Sequence, residues 1–92
     1  MKVNFYATLR HIVGTKTVDL PLNNGCTVRD MVNEMIQRFP ALRHELLDDN
    51  GQLYSHIHVF INGRDTPYLE NRLDTQITEQ DTISVFPAVG GG

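Results

Sequence analysis

The chain closes on Phe86-Pro87-Ala88-Val89-Gly90-Gly91-Gly92, and the last three of these residues have no side chain to crowd the terminal carboxylate. A glycine terminus can pass a narrow channel, take backbone angles closed to other residues and be handed into another protein's active site. With a strand expected to end near Pro87, the remaining five residues can extend about 16 Å beyond a folded body. The competing interpretation is a frayed chain end, which many domains have.

Other residues capable of chemistry are sparse. Cys26 stands just before an expected helix, where a lowered thiol pKa could support a persulfide, but it reads as an incidental loop cysteine. His56 and His58 share one face of an expected strand, but two ligands do not make a zinc site and no Cys or further His lies at ligand spacing nearby. They read as surface histidines, and Asp48 and Asp49 as a solvated loop. No Ser/His/Asp or Cys/His arrangement is legible, and no phosphate loop. The expectation is a protein that other enzymes act on, not a stand-alone enzyme, with no metal and no cofactor bound by this chain.

Composition agrees with that role. Ninety-two residues suit one domain, too small for a deep enclosed active site. Apolar content of 40% and charged content of 21% are ordinary for a globular chain, and no apolar run reaches the ~20 residues of a membrane helix. Net charge is −3 with eight scattered basic residues, so no basic stripe invites direct nucleic-acid binding. A single cysteine excludes an intrachain disulfide and fits a reducing compartment. Met1-Lys2-Val3-Asn4-Phe5 runs directly into strand-like alternation without a signal core, and the expected location is cytoplasmic.

The elements that must position the tail follow from periodicity. Val3, Phe5, Ala7 and Leu9 alternate with Lys2, Asn4, Tyr6 and Thr8, which predicts a half-buried strand over 2–9. A turn at Val13-Gly14-Thr15 and alternation of Val18, Leu20 and Leu22 predict a second strand and a hairpin, with Pro21 favouring a sheet edge. Val28, Met31, Val32, Met35, Ile36 and Phe39 repeat with helical spacing, Thr27 and Asp30 form a capping box, and Pro40 stops the helix. Ala41 to Leu47 suggests a short helical turn. Ile57, Val59 and Ile61 alternate before an Asn62-Gly63 turn; Leu69, Leu73 and Ile77 anchor an irregular crossing; Ile83 and Val85 point inward from a last strand. The expected fold is α+β: a β-grasp, ubiquitin-like roll with a mixed sheet of about four to five strands and one main helix packed across it. The first and last strands would lie parallel at its centre. Residues 1–87 form the expected domain and residues 88–92 a flexible tail.

With the order of elements in view, the chain resembles the ThiS/MoaD-type ubiquitin-like sulfur carriers. The resemblance rests on Val3-Asn4-Phe5-Tyr6-Ala7-Thr8-Leu9-Arg10, Thr27-Val28-Arg29-Asp30, Arg38-Phe39-Pro40 and Ile83 to Gly92, and covers essentially the whole chain. Single motifs here are common ones; their order together with the terminal Pro-x-Val-x-Gly-Gly pattern is specific. The middle portion, Leu46 to Asp65, looks closer to archaeal-type small modifiers and cysteine-biosynthesis carriers than to the short subunits of molybdopterin synthase. Two positions depart from the family pattern. Gln80-Asp81 replaces a frequent Gly-Asp, and Gly90 replaces a common alanine, which makes the tail costlier to order on binding.

The resemblance implies a chemistry for the tail. A ubiquitin-activating-type enzyme uses ATP and Mg²⁺ to adenylate the Gly92 carboxylate, and a sulfur donor displaces AMP to leave a thiocarboxylate. That thiocarboxylate then supplies sulfur for molybdopterin, cysteine, thiamine or a thiolated tRNA, either to a sulfur-accepting enzyme or to a large synthase subunit. Gly91 would let the carbonyl thread. Tyr6 and Phe86, outward by strand parity and adjacent if their strands are parallel, would form the docking patch with Pro87, Val89 and Gly90. Two other functions share the same tail. One is a protein modifier joined through Gly92 to lysines of targets, although Lys2 and Lys16 are the chain's own only lysines. The other is an interaction module with an inert tail.

Overall fold

A computed structural model describes residues 1–87 of the chain; the expected tail, residues 88–92, lies outside the described residues. Five strands form one mixed sheet: β1 (Lys2–Phe5), β2 (Thr17–Asp19), β3 (Ile57–Ile61), β4 (Arg64–Asp65) and β5 (Ile83–Pro87). Their spatial order is β2-β1-β5-β3-β4. The central pair β1 and β5 is parallel, with Val3 opposite Ile83 and Phe5 opposite Val85, while the other neighbours pair antiparallel. The helices are α1 (Ala7–Val13), α2 (Val28–Arg38) and the short α3 (Arg43–Leu46), with single 3₁₀ turns at Pro40–Leu42, Thr66–Tyr68 and Arg72–Asp74. This is the expected β-grasp roll.

The main helix forms where its cap and stripe dictate. Thr27 Oγ1 accepts the Asp30 amide at 3.1 Å and Asp30 Oδ2 accepts the Thr27 amide at 3.0 Å, so two amides of the first turn that have no partner within the helix are satisfied reciprocally. Val28, Met31, Val32 and Met35 then bury one face of α2. They join Val3 and Phe5 of β1, Val18 of β2, Ile57, Val59 and Ile61 of β3, and Ile83 and Val85 of β5 in one core. Each such side chain contributes about 1.5–3 kcal/mol by leaving water, and Ile77 of the irregular crossing is as fully enclosed as any of them.

The structure corrects the expected first strand. The strand ends at Phe5, Tyr6 is still extended (φ −129°, ψ 159°), and Ala7 turns the chain at φ 55° into α1. Leu9, Ile12 and Val13 share one helical face, Leu9 fully buried and the others half-buried, and Gly14 closes the helix at φ 89°, a conformation that glycine adopts without penalty. The second strand is shorter than its alternation suggests: after Asp19 the Leu22 amide donates to the Leu20 carbonyl at 2.8 Å, a tight turn around Pro21. β2 is nonetheless the sheet edge that Pro21 implies. The strand β4 follows from Asn62 (φ 54°) and Gly63 (φ 85°), whose two positive angles make the tight hairpin that returns the chain to β3. No helix of the described residues is long and apolar enough to cross a membrane.

Candidate functional site

The site is built on the parallel central pair. Phe5 and Val85 face each other across the ladder and are wholly buried. Tyr6 continues that ladder, its amide donating to the Val85 carbonyl at 3.2 Å. Side chains alternate along extended backbone, so the next residues on each strand, Tyr6 and Phe86, emerge on the opposite face of the sheet. Their rings meet edge to face with centroids 6.2 Å apart and planes at 89°. Tyr6 is 37% exposed, the large apolar side chain most open to solvent among the described residues.

Two further rings complete the patch, and sequence reasoning did not include them. β3 sets His58 opposite Phe86 and Phe60 opposite Ser84. The Phe86 ring centroid lies 5.0 Å from that of Phe60 and 5.5 Å from that of His58. The signal was present in the parity of β3: with Ile57, Val59 and Ile61 inward, His58 and Phe60 must face outward. Beside the rings, Tyr6, Ala7, Phe60, Gly63, Phe86 and Pro87 line a shallow apolar groove of about 460 Å³. Pro87 is the last residue of β5 and lacks an amide donor, so it sits where a strand can end without wasting a ladder bond. The groove therefore lies where the chain leaves the sheet.

His58 is fixed by its neighbour on β4. Its Nδ1 donates to Asp65 Oδ2 at 2.7 Å, and this carboxylate, only 13% exposed, is delivered by the Asn62-Gly63 hairpin. His56 precedes β3 and stacks on Tyr54 with ring centroids 5.2 Å apart. The two histidines thus have separate partners, and the described residues contain no group of three or more His, Cys, Asp or Glu able to hold a metal ion.

Cys26 does not show the activated thiol that a place before a helix can favour. It is half-buried, with Sγ 3.9 Å from Met1 Sδ, and desolvation followed by the nearby Asp30 carboxylate pushes the thiol pKa up. Burial and a like-signed neighbour outweigh the helix terminus, so Cys26 is not an activated thiol. Asp48 accepts the amides of Asn50 and Gln52 at 2.8 and 3.0 Å, which makes it a loop-forming residue. Val89, Gly90, Gly91 and Gly92 lie outside the described residues. Among the expected docking residues, the structure brings Tyr6, Phe86 and Pro87 together. The arrangement offers a partner an apolar, aromatic surface at the root of the tail.

Comparison with known proteins gives a consistent result. Small archaeal modifier protein 3 of Haloferax volcanii is 32% identical over 92 residues, covering 100% of this chain and 98% of that one. The sulfur carrier protein CysO of Mycobacterium tuberculosis is 25% identical over 84 residues, covering 89% of this chain and 86% of that one. Among solved structures, the crystal structure of SAMP1 from Haloferax volcanii superposes with a TM-score of 0.85 at 30% identity, covering 100% of this chain and 98% of that one. A chain of the Amycolatopsis orientalis BexX/CysO complex superposes with a TM-score of 0.79 at 26% identity, covering 99% and 98%. The ThiS family sequence model matches residues 3–92. The order of elements, the terminal glycines and these relatives agree, and the chain belongs to the ThiS family.

Proposed function

We propose that this chain is a sulfur carrier whose reactive group is the Gly92 carboxylate. A carboxylate is a poor acyl donor, because its charge repels nucleophiles and oxide does not leave. In the proposed cycle a carboxylate oxygen attacks the α-phosphorus of ATP in a ubiquitin-activating-type partner, pyrophosphate departs, and an acyl-adenylate forms. The partner supplies Mg²⁺ and the phosphate-binding groups. Hydrosulfide from a sulfur donor then adds to the carbonyl and expels AMP, with loss of a proton, leaving a thiocarboxylate. That group is a soft nucleophile at neutral pH and delivers sulfur to an accepting enzyme or synthase subunit, in the cytoplasm.

The chain's own residues supply access and address. Gly92 leaves the attacked carbonyl uncrowded and Gly91 allows the backbone to thread, while Gly90 adds freedom that must be lost on docking. Tyr6, Phe86 and Pro87 form the docking surface from which Val89 and the glycines run into the partner. The observation that carries this reading is the parallel β1/β5 register, which assembles the aromatic patch where β5 ends and the glycine-rich residues follow. Incubation with ATP, the activating enzyme and a sulfur donor, followed by intact-mass analysis, tests it through a sulfur-for-oxygen change at Gly92.

A second reading, conjugation of Gly92 to lysines of other proteins, is favoured by the relatives named as small archaeal modifier proteins. It uses the same activation, and an amine replaces hydrosulfide as the nucleophile. In the same mass experiment with acceptor proteins present, it yields larger protein-linked adducts.

A further inference from the structure

Charge is unevenly divided along this acidic chain. Residues 1–18 hold three basic residues, Lys2, Arg10 and Lys16, together with His11 and no acidic residue, whereas residues 19–92 hold five basic and eleven acidic ones. The fold gathers most of the N-terminal cations in one place. Arg10 and His11 from the last turn of α1 and Lys16 just before β2 line a shallow hollow with Gly14 and Thr15, and all three side chains are exposed. None of the three forms an ion pair among the described residues. Ala7 is a wall common to this hollow and to the apolar groove at the tail root. Lys16 Nζ stands 5.6 Å from the centre of the Tyr6 ring, so the cationic rim and the aromatic patch are one continuous surface. Favourable placement near a helix C-terminus accounts for Arg10 and His11. It does not account for Lys16, which lies beyond the end of α1 at Val13.

We propose that this Arg10/His11/Lys16 rim is a second part of the docking face, and that the enzyme taking up the tail meets it with an acidic surface. The inference rests on the carrier reading, because that reading brings a partner to the adjoining aromatic patch. A chain of net charge −3 repels an acidic protein at long range, and a local cationic rim beside the tail orients the encounter so that the patch and tail arrive together. The rim is too small for a phosphate backbone, whose binding proteins make roughly 6–10 phosphate contacts.

The test compares the full chain with its Arg10→Glu/Lys16→Glu variant in ATP-pyrophosphate exchange by its activating enzyme, with Arg29→Glu/Arg43→Glu, two exposed positions on α2 and α3, as a charge-matched control. Thermal melting verifies that all three fold. At low salt the double variant should show a KM raised about tenfold with kcat unchanged, the difference shrinking toward nothing near ~0.5 M salt, and the control should match the parent. An unchanged KM at low salt, or a rise that salt does not screen, overturns the proposal while leaving the carrier reading intact. Salt-sensitive binding of a single-stranded oligonucleotide that the variant loses, with enzyme KM unaffected, assigns the rim to nucleic acid and also overturns it. A parent chain that the enzyme does not activate contradicts the carrier reading itself, and the rim's role with it.

Discussion

Tyr6 and Phe86 meet edge to face at 6.2 Å although they are separated by nearly the whole chain, because Phe5 and Val85 are partners in the parallel ladder one residue earlier. Truncating the central ring, Phe86→Ala, should weaken binding to the activating enzyme by about 2 kcal/mol, roughly 30-fold in KM or Kd. Tyr6→Ala should cost less, and a double-mutant cycle should return a coupling of about 0.5–1.5 kcal/mol. Both rings lie on the outer sheet face, so far-ultraviolet dichroism should be unaltered. An unchanged partner affinity in Phe86→Ala would mean that the rings only cover the sheet.

The capping box makes a prediction confined to stability. Thr27→Ala leaves the Asp30 amide without its side-chain acceptor. It should cost about 1 kcal/mol, or roughly 4–8 °C in melting temperature for a domain of this size. Activation measured well below the melting transition should be unaffected, because α2 lies on the other face of the sheet from Tyr6 and Phe86. A loss of activation with an unshifted melting curve would place the helix terminus in the docking face instead.

Cys26 should be a slow thiol. Desolvation and then Asp30 raise its pKa above the ordinary 9.0, so at pH 8 the folded protein holds less thiolate than an unhindered cysteine does. Alkylation by iodoacetamide should therefore be slower in the native protein than in the same protein unfolded in urea, and Cys26→Ser should accept sulfur as the parent does. Faster alkylation of the folded chain, or loss of sulfur loading in Cys26→Ser, would return Cys26 to the chemistry.

Asp19 gives the acid limb of the stability profile a definite sign. Its hydrogen bond to the Met1 amino group at 2.7 Å, and then the charge of that group, lower its pKa below the ordinary 3.8. A carboxylate with a depressed folded-state pKa stabilises the fold fully above its unfolded pKa, and that contribution is lost as pH falls through the folded value. The melting-temperature difference between the parent and Asp19→Asn should thus be constant near neutrality and vanish progressively below about pH 4. A difference that persists unchanged to the lowest pH would show that the ion pair is not its source.

Much of the positioning frame was legible because local and tertiary signals agree in it. Thr27, Asp30 and the Val28-Met31-Val32-Met35 stripe specify α2 without help from the rest of the chain, and the inward parity of Val3, Phe5, Ile83 and Val85 is enough to put Tyr6 and Phe86 on the outer face. The first helix was missed because Val3, Phe5, Ala7 and Leu9 hold a period of two straight across the strand's end. The period of 3.6 in Leu9, Ile12 and Val13, with Gly14 as the C-cap, was outweighed by it. The break itself rests on Ala7 at φ 55°, an angle that no alanine announces. The site extended further than expected for a different reason. Phe60 and His58 enter it through the antiparallel register of β3 on β5, and Asp65 through a two-residue strand too short to carry a pattern. For Cys26 the helix terminus is visible in sequence, while the burial and the Asp30 neighbour that raise its thiol pKa are visible only in the fold.

The most direct measurement of the central claim is the intact mass of the chain, and of the same chain lacking Gly92, after incubation with ATP, Mg²⁺, the activating enzyme and a sulfur donor. The full chain should show a sulfur-for-oxygen mass change, mapped by fragmentation to Gly92, and the shortened chain none, although both give the same melting curve. An unchanged mass in the full chain under conditions where the enzyme is demonstrably active, or equal activation of the shortened chain, would contradict that claim.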